Sequence, residues 1–82
     1  MITADTLAHK VLDVIVMGNV FNEKVTLHYI EERLRIDIWF VARVVVELEN
    51  KQLVELALDK KFHAVYKATE AGVKKHNEVQ GP

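Results

Sequence analysis

Four histidines are the first side chains to weigh for chemistry. His9 stands four residues before Asp13 and His28 four before Glu32, a spacing that sets each imidazole and carboxylate on one face of a helix. Such pairs are the beginnings of a metal site, but a closed zinc site takes about four ligands and nothing in the sequence brings the two pairs together. Solvated polar surface is the simpler reading, and no metal or other cofactor is expected. His76, beside Lys74 and Lys75 near the end of the last helical stretch, reads as a cation complementing a helix C-terminus. The chain has no serine and no cysteine to act as a nucleophile, and its three glycines are too scattered for a phosphate loop. Catalysis is not expected.

What remains is the chemistry of recognition. Lys60, Lys61, His63 and Lys67 crowd one short stretch and suit phosphate oxygens, although charged turns are often no more than solvated. Ile38, Trp39 and Phe40 lie together just ahead of Arg43 and Val46. An aromatic cluster of this kind suits either a protein partner or packing against a neighbouring helix, and packing is the reading preferred for Phe40.

The elements that carry these residues follow from periodicity and caps. Thr3 or Asp5 opens a first helix with Leu7, Val11, Leu12 and Ile15 at helical spacing, and Gly18-Asn19 ends it. Val14, Val16 and Met17 widen its apolar face, which calls for cover by another element or a second chain. Val20 to Lys24 is read as a loop. Thr26 caps a second helix with Leu27, Ile30 and Leu34 inward and His28, Glu31, Glu32 and Arg35 outward. After a tight turn Asp37 caps a third helix running to about Asn50. Val44-Val45-Val46 would suit a strand, but fourteen residues without a turn signal are long for one, and Val41, Val44, Val45 and Leu48 form a single helical stripe.

Two strands follow. Val54, Leu56 and Leu58 alternate with Glu55, Ala57 and Asp59, then Phe62, Ala64, Tyr66 and Ala68 alternate with Lys61, His63, Val65 and Lys67, so the set named first in each strand is expected inward and Val65 alone breaks the pattern. Thr69 caps a last helix through about Asn77, with a frayed tail from Val79 to Pro82.

Helix, helix, turn, helix, hairpin, helix is the element order of a winged helix, an α+β fold with a three-helix core, a helix-turn-helix, a two-stranded β-hairpin wing and a C-terminal helix. Thr26, Ile30, Leu34 and Ile36, then Leu48-Glu49 with Leu53-Val54-Glu55, then Tyr66 and Thr69-Glu70-Ala71-Gly72, resemble transcription regulators of the MarR and PadR-like type over residues 7 to 76. The resemblance implies a third helix in the DNA major groove, a wing on an adjacent groove or on phosphates, and a homodimer formed through the first and last helices. Carried onto this chain, the base-reading positions are Ile38, Trp39, Phe40, Ala42, Arg43 and Val46, of which only Arg43 donates to a base edge in the usual way. The DNA-contacting set is then Trp39, Arg43, Lys60, Lys61, His63 and Lys67. Gln52 stands where these families commonly have glycine.

Composition bounds the rest. Residues 1 to 82 make one domain; half are hydrophobic and 28% are charged, which suits a folded chain, and with no apolar run long enough to span a bilayer, no signal-like start and no cysteine it reads as soluble, unexported and cytoplasmic. The formal net charge of -1 is low for a DNA binder, and the second half, with seven basic against six acidic residues, holds any nucleic-acid surface. Two readings stay open: a DNA-binding regulator, and a protein-interaction module that presents Ile38, Trp39 and Val46 to a partner protein.

Overall fold

The computed structural model describes residues 3 to 80. The order is α1 (Thr3–Val20), α2 (Leu27–Leu34), α3 (Ile38–Asn50), β1 (Val54–Leu58), β2 (Ala64–Ala68) and α4 (Glu70–Gln80), with β1 and β2 paired antiparallel. α1 is the central element and packs against α2, α3, β2 and α4. Most of its wide apolar face is covered from within the chain, Met17 remaining exposed: Val11, Leu12, Ile15 and Val16 meet Val25, Ile30, the stripe Val41, Val44, Val45 and Leu48, and Val54 in one buried cluster.

The caps of α2 and α3 form as their residue types dictate. Thr26 Oγ1 accepts from the Tyr29 N–H at 3.1 Å, and Asp37 Oδ1 accepts from the Trp39 N–H at 2.8 Å. Each satisfies a backbone donor that the first helical turn leaves without a partner. Between them Arg35 takes a left-handed conformation, φ 56°, which ends α2 and makes the tight turn.

α1 ends later than Gly18-Asn19. The helix runs on to Val20, and the stop is Asn22 at φ 62°, with the N–H of Asn22 donating to Asn19 O and that of Glu23 to Gly18 O. This paired closure leaves the αL position to asparagine, the residue after glycine that tolerates it best. Gly18 serves closeness instead: a Cβ there would strike Val25 Cγ2, where the incoming chain crosses the helix. At the other end α1 is described from Thr3 onward. α4 continues past Asn77 to Gln80, and residues 81 and 82 of the expected tail lie outside those described.

α3 closes by the same device as α1, with the Gln52 N–H on Glu49 O and the Leu53 N–H on Leu48 O. Gln52 sits at φ 61°. The departure from glycine is thus in residue type, while the backbone keeps the left-handed geometry that glycine adopts without strain. Gln52→Gly is expected to raise stability by about 0.5–1 kcal/mol, the strain relieved less glycine's extra chain entropy, an upward shift of a few degrees in the thermal midpoint.

The hairpin corrects the expected faces. Val54 is buried, but Leu56 and Leu58 are exposed, as are Phe62 and Ala64, whereas Val65 is buried. On the face that carries Leu56 and Leu58, only the base of the wing, with Val54, Tyr66 and Ala68, reaches the core cluster, while Val65, paired with Ala57, is buried on the other face. Strict alternation was the right local structure, but the outer half of the hairpin projects past the helices that would have covered it. β2 is docked along its other edge by two residues outside the sheet: Asn19 donates through Nδ2 to Tyr66 O at 3.2 Å and accepts the Ala68 N–H on Oδ1 at 2.8 Å, and the Tyr66 N–H donates to Val25 O at 2.8 Å.

Candidate nucleic-acid interface

The wing tip is built on Asp59. Its Oδ1 accepts the backbone N–H groups of Lys61 and His63, each at 2.8 Å, its own N–H donates to His63 O, and its carbonyl accepts the Phe62 N–H. Oδ2 lies 3.2 Å from the Lys24 ammonium and 3.5 Å from His63 Nδ1. A five-residue turn is thereby closed on one side chain, with Lys60, Lys61, Phe62 and His63 all pointing to solvent. The His63 N–H chiefly holds the Asp59 carboxyl down, from its ordinary 3.8 to about 2; burial of the carboxylate opposes this, and Lys24 and the Lys61 N–H assist it.

Because the folded-state value is lowered, the contribution of Asp59 to the tip is complete above the unfolded value of 3.8 and is lost as pH falls through about 2. In an acid titration followed by NMR, the amide shifts of Lys61 and His63 are expected to move together with a midpoint near 2. A midpoint at the unperturbed value would mean that the tip is open in solution.

Lys67 is separate from the tip cations, on β2 directly across from Glu55, a cross-strand neighbour of opposite charge. Lys60, Lys61 and His63 are together. On α3, Trp39, Arg43 and Val46 share the outer, exposed face, and Ile38 is half-buried. Phe40 is not packed away: it is 57% exposed and, with Trp39, Arg43 and Val46, lines a shallow groove along α3. Both aromatic residues follow the Asp37 cap in the first turn of α3 and are exposed.

The histidines divide differently from their sequence spacing. His28 Nδ1 pairs with Glu31 at 3.2 Å rather than with Glu32. His76 is no exposed helix-end cation. It is buried, its Nε2 2.6 Å from Asp13 Oδ1, with the His9 ring stacked on it at 5.9 Å between centroids. The group therefore ties α4 to α1. Among the described residues no cluster of three or more His, Asp or Glu side chains is arranged to hold a metal ion, and no helix is long and apolar enough to cross a membrane.

Sequence reasoning missed Lys24 and Phe62 as parts of the tip. An aspartate two residues before Lys61 and four before His63 was the available signal, since that side chain commonly closes turns on the backbone ahead of it. For Lys24, 35 residues upstream, there was none.

No family model matches the chain, and no curated protein matches it in sequence. Solved structures do resemble it. AF1382 from Archaeoglobus fulgidus superposes with a TM-score of 0.78 at 19% identity, over 89% of this chain and 79% of that one. MepR of S. aureus, bound to ethidium bromide, gives 0.79 at 17% identity over 89% of this chain and 52% of MepR. The PcaV transcriptional regulator of Streptomyces coelicolor, in complex with its natural ligand, gives 0.74 at 20% identity over 89% of this chain and 50% of PcaV. The chain thus spans about half the length of MepR and of PcaV. The shared architecture is the winged helix expected from the residues, four helices with a two-stranded antiparallel wing.

Proposed function

We propose that this domain binds duplex DNA as a transcription regulator, with α3 in the major groove and the wing on phosphates. The observation that carries this reading is the tip itself: Lys60, Lys61 and His63 are exposed on a turn that Asp59 holds closed before any ligand arrives. A preorganised cationic turn contacts a phosphate backbone without the cost of ordering a loop. Arg43 is the α3 side chain suited to a guanine edge, and Trp39 and Lys67 complete the contact set. The likeness to a transcriptional regulator supports the reading at the level of fold. With a net charge of -1, binding rests on local rather than overall charge and falls steeply with salt.

The test is titration of the full chain into random duplex DNA at low and moderate salt, beside a Lys60→Glu, Lys61→Glu double variant. Wild-type binding is expected to weaken with salt, and the variant to bind about tenfold more weakly with a salt slope smaller by about 2. Absence of binding at low salt would remove the reading. Self-association through α1 and α4 is part of the proposal, and would place two α3 helices about one helical turn apart on DNA; light scattering showing a monomer at high concentration would remove that part.

One observation favours a second reading. Trp39 is 76% exposed and Val46 51% exposed beside half-buried Ile38, a composition nearer to a protein-binding hot spot than to a base-reading helix. In that reading the domain holds a partner protein on α3. If the DNA titration fails, Trp39→Ala is the first variant to examine for partner binding.

A further inference from the structure

Phe62 is the most exposed large apolar side chain in the described chain, at 79%, and it occupies the tip of the wing at φ 64°. An aromatic residue in the left-handed region is strained, and the surrounding hydrogen bonds allow it no retreat: its N–H donates to Asp59 O at 2.9 Å, while the residues on either side are both bound to Asp59 Oδ1. The turn therefore holds a planar apolar ring outward between Lys60 and Lys61 on one side and His63 on the other. This combination matches a ligand that offers anionic groups flanking a flat apolar surface.

The placement of the wing decides among such ligands. β1 leaves α3 through the closed turn at Gln52, and the residue just before the strand is held, Leu53 O accepting the Thr69 N–H at 3.0 Å. The wing is thereby fixed to the helices at both strand ends. A rigid two-point surface suits a stiff rod, and duplex DNA is stiff over many times the length of this domain. A fluid lipid surface would not call for a fixed spacing.

We propose that Phe62 is a wedge: it enters the minor groove and presses against a base-pair step, with Lys60, Lys61 and His63 on the flanking phosphates. Apolar side chains used in this way partly unstack a step and favour those that deform easily, such as TA. The proposal rests on the reading that the wing meets duplex DNA, and it adds a source of sequence preference to a surface with few base-reading donors.

The test uses the full chain with a 30-base-pair duplex of alternating dT and dA carrying 2-aminopurine at several adenine positions, and a G·C-rich duplex of equal length. Wild type is expected to raise 2-aminopurine fluorescence and to bind the TA duplex more tightly than the G·C-rich one. Phe62→Ala is expected to bind the TA duplex about tenfold more weakly, to lose the fluorescence change and to keep the wild-type salt slope, which the Lys60→Glu, Lys61→Glu variant does not. Its thermal midpoint should be no lower than wild type, so a fall in binding is not a fall in folded protein. If Phe62→Ala binds and reports as wild type does while the lysine variant is impaired, the wedge is overturned and the phosphate-contact reading stands. If wild type binds neither duplex at low salt, both are overturned. Phe62-dependent binding to phosphatidylserine vesicles with unchanged DNA binding would overturn the wedge in favour of a lipid contact.

Discussion

Gly72→Ala is expected to destabilise this domain by about 2–4 kcal/mol, as overpacking against backbone does when neither side can move, and so to lower its thermal midpoint by 10 °C or more. A Cβ on Gly72 would run into the carbonyl oxygen of Leu53, with the carbonyl carbon at 2.9 Å and Cα at 3.4 Å. The obstacle is main chain, and it is held: Leu53 O accepts the Thr69 N–H at 3.0 Å, while Thr69 Oγ1 donates to Gln52 O at 2.7 Å and accepts the Gly72 N–H at 3.0 Å. Separating α4 from β1 to admit the methyl group would stretch the two bonds that tie Thr69 to Leu53 and Gln52. Gly72 has no positive φ, so its requirement is space alone. Helix propensity predicts the opposite sign, since alanine inside a helix is favoured over glycine by up to about 1 kcal/mol. Urea or thermal unfolding of the one variant separates the two arguments by the direction of the shift.

Asn19→Ala should cost about 2–3 kcal/mol. The side chain spans from α1 to β2, donating to one backbone group and accepting from another, so that it stands in for a third strand at the edge of the sheet. Alanine removes both bonds and leaves the Ala68 N–H and Tyr66 C=O part-buried without those partners, each a desolvation loss of about 1–3 kcal/mol, reduced where water can enter. Val25 O still accepts the Tyr66 N–H, so β2 should loosen at Ala68 before it detaches. The check is the equilibrium unfolding curve together with amide exchange at Ala68, which should accelerate beyond what the global loss accounts for. Asn19→Asp keeps the acceptor and loses the donor, and it should fall between wild type and alanine.

These two residues show which parts of the molecule the sequence could disclose. Thr26, Asp37 and Thr69 were legible as caps because a cap acts on amides two or three residues away. The α3 stripe was legible for the same reason, one helix being long enough to average out its strand-like valines. Asn19 carried no such local meaning, because its partners lie 47 and 49 residues away; read alone it looked like a helix stop. Beside Lys74 and Lys75, His76 reads as a cation complementing a helix C-terminus, but its environment is set by Asp13, 63 residues earlier. The wing faces failed in another way. Alternation told which residues share a side, but not how far the helices extend beneath it, and Leu56 and Leu58 overhang them. Of the candidate interface, the tip lysines and the odd composition of α3 were visible in the chain, whereas the exposure of Phe40 and Phe62 depended on the tertiary fold.

The Asp13–His76 contact has a consequence for how the domain opens. His76 is the one buried side chain among those described in α4, joined there by the close approach of Gly72. α3, by contrast, buries four. With so little apolar area at stake, α4 should open as a local unit while the other helices stay folded, and its amides should exchange with solvent at a free energy below that of global unfolding. A second copy that covered α4 would suppress this opening by mass action. The exchange rate of α4 amides would then slow as protein concentration rises while that of α3 does not, so the least anchored helix serves as an internal gauge of self-association.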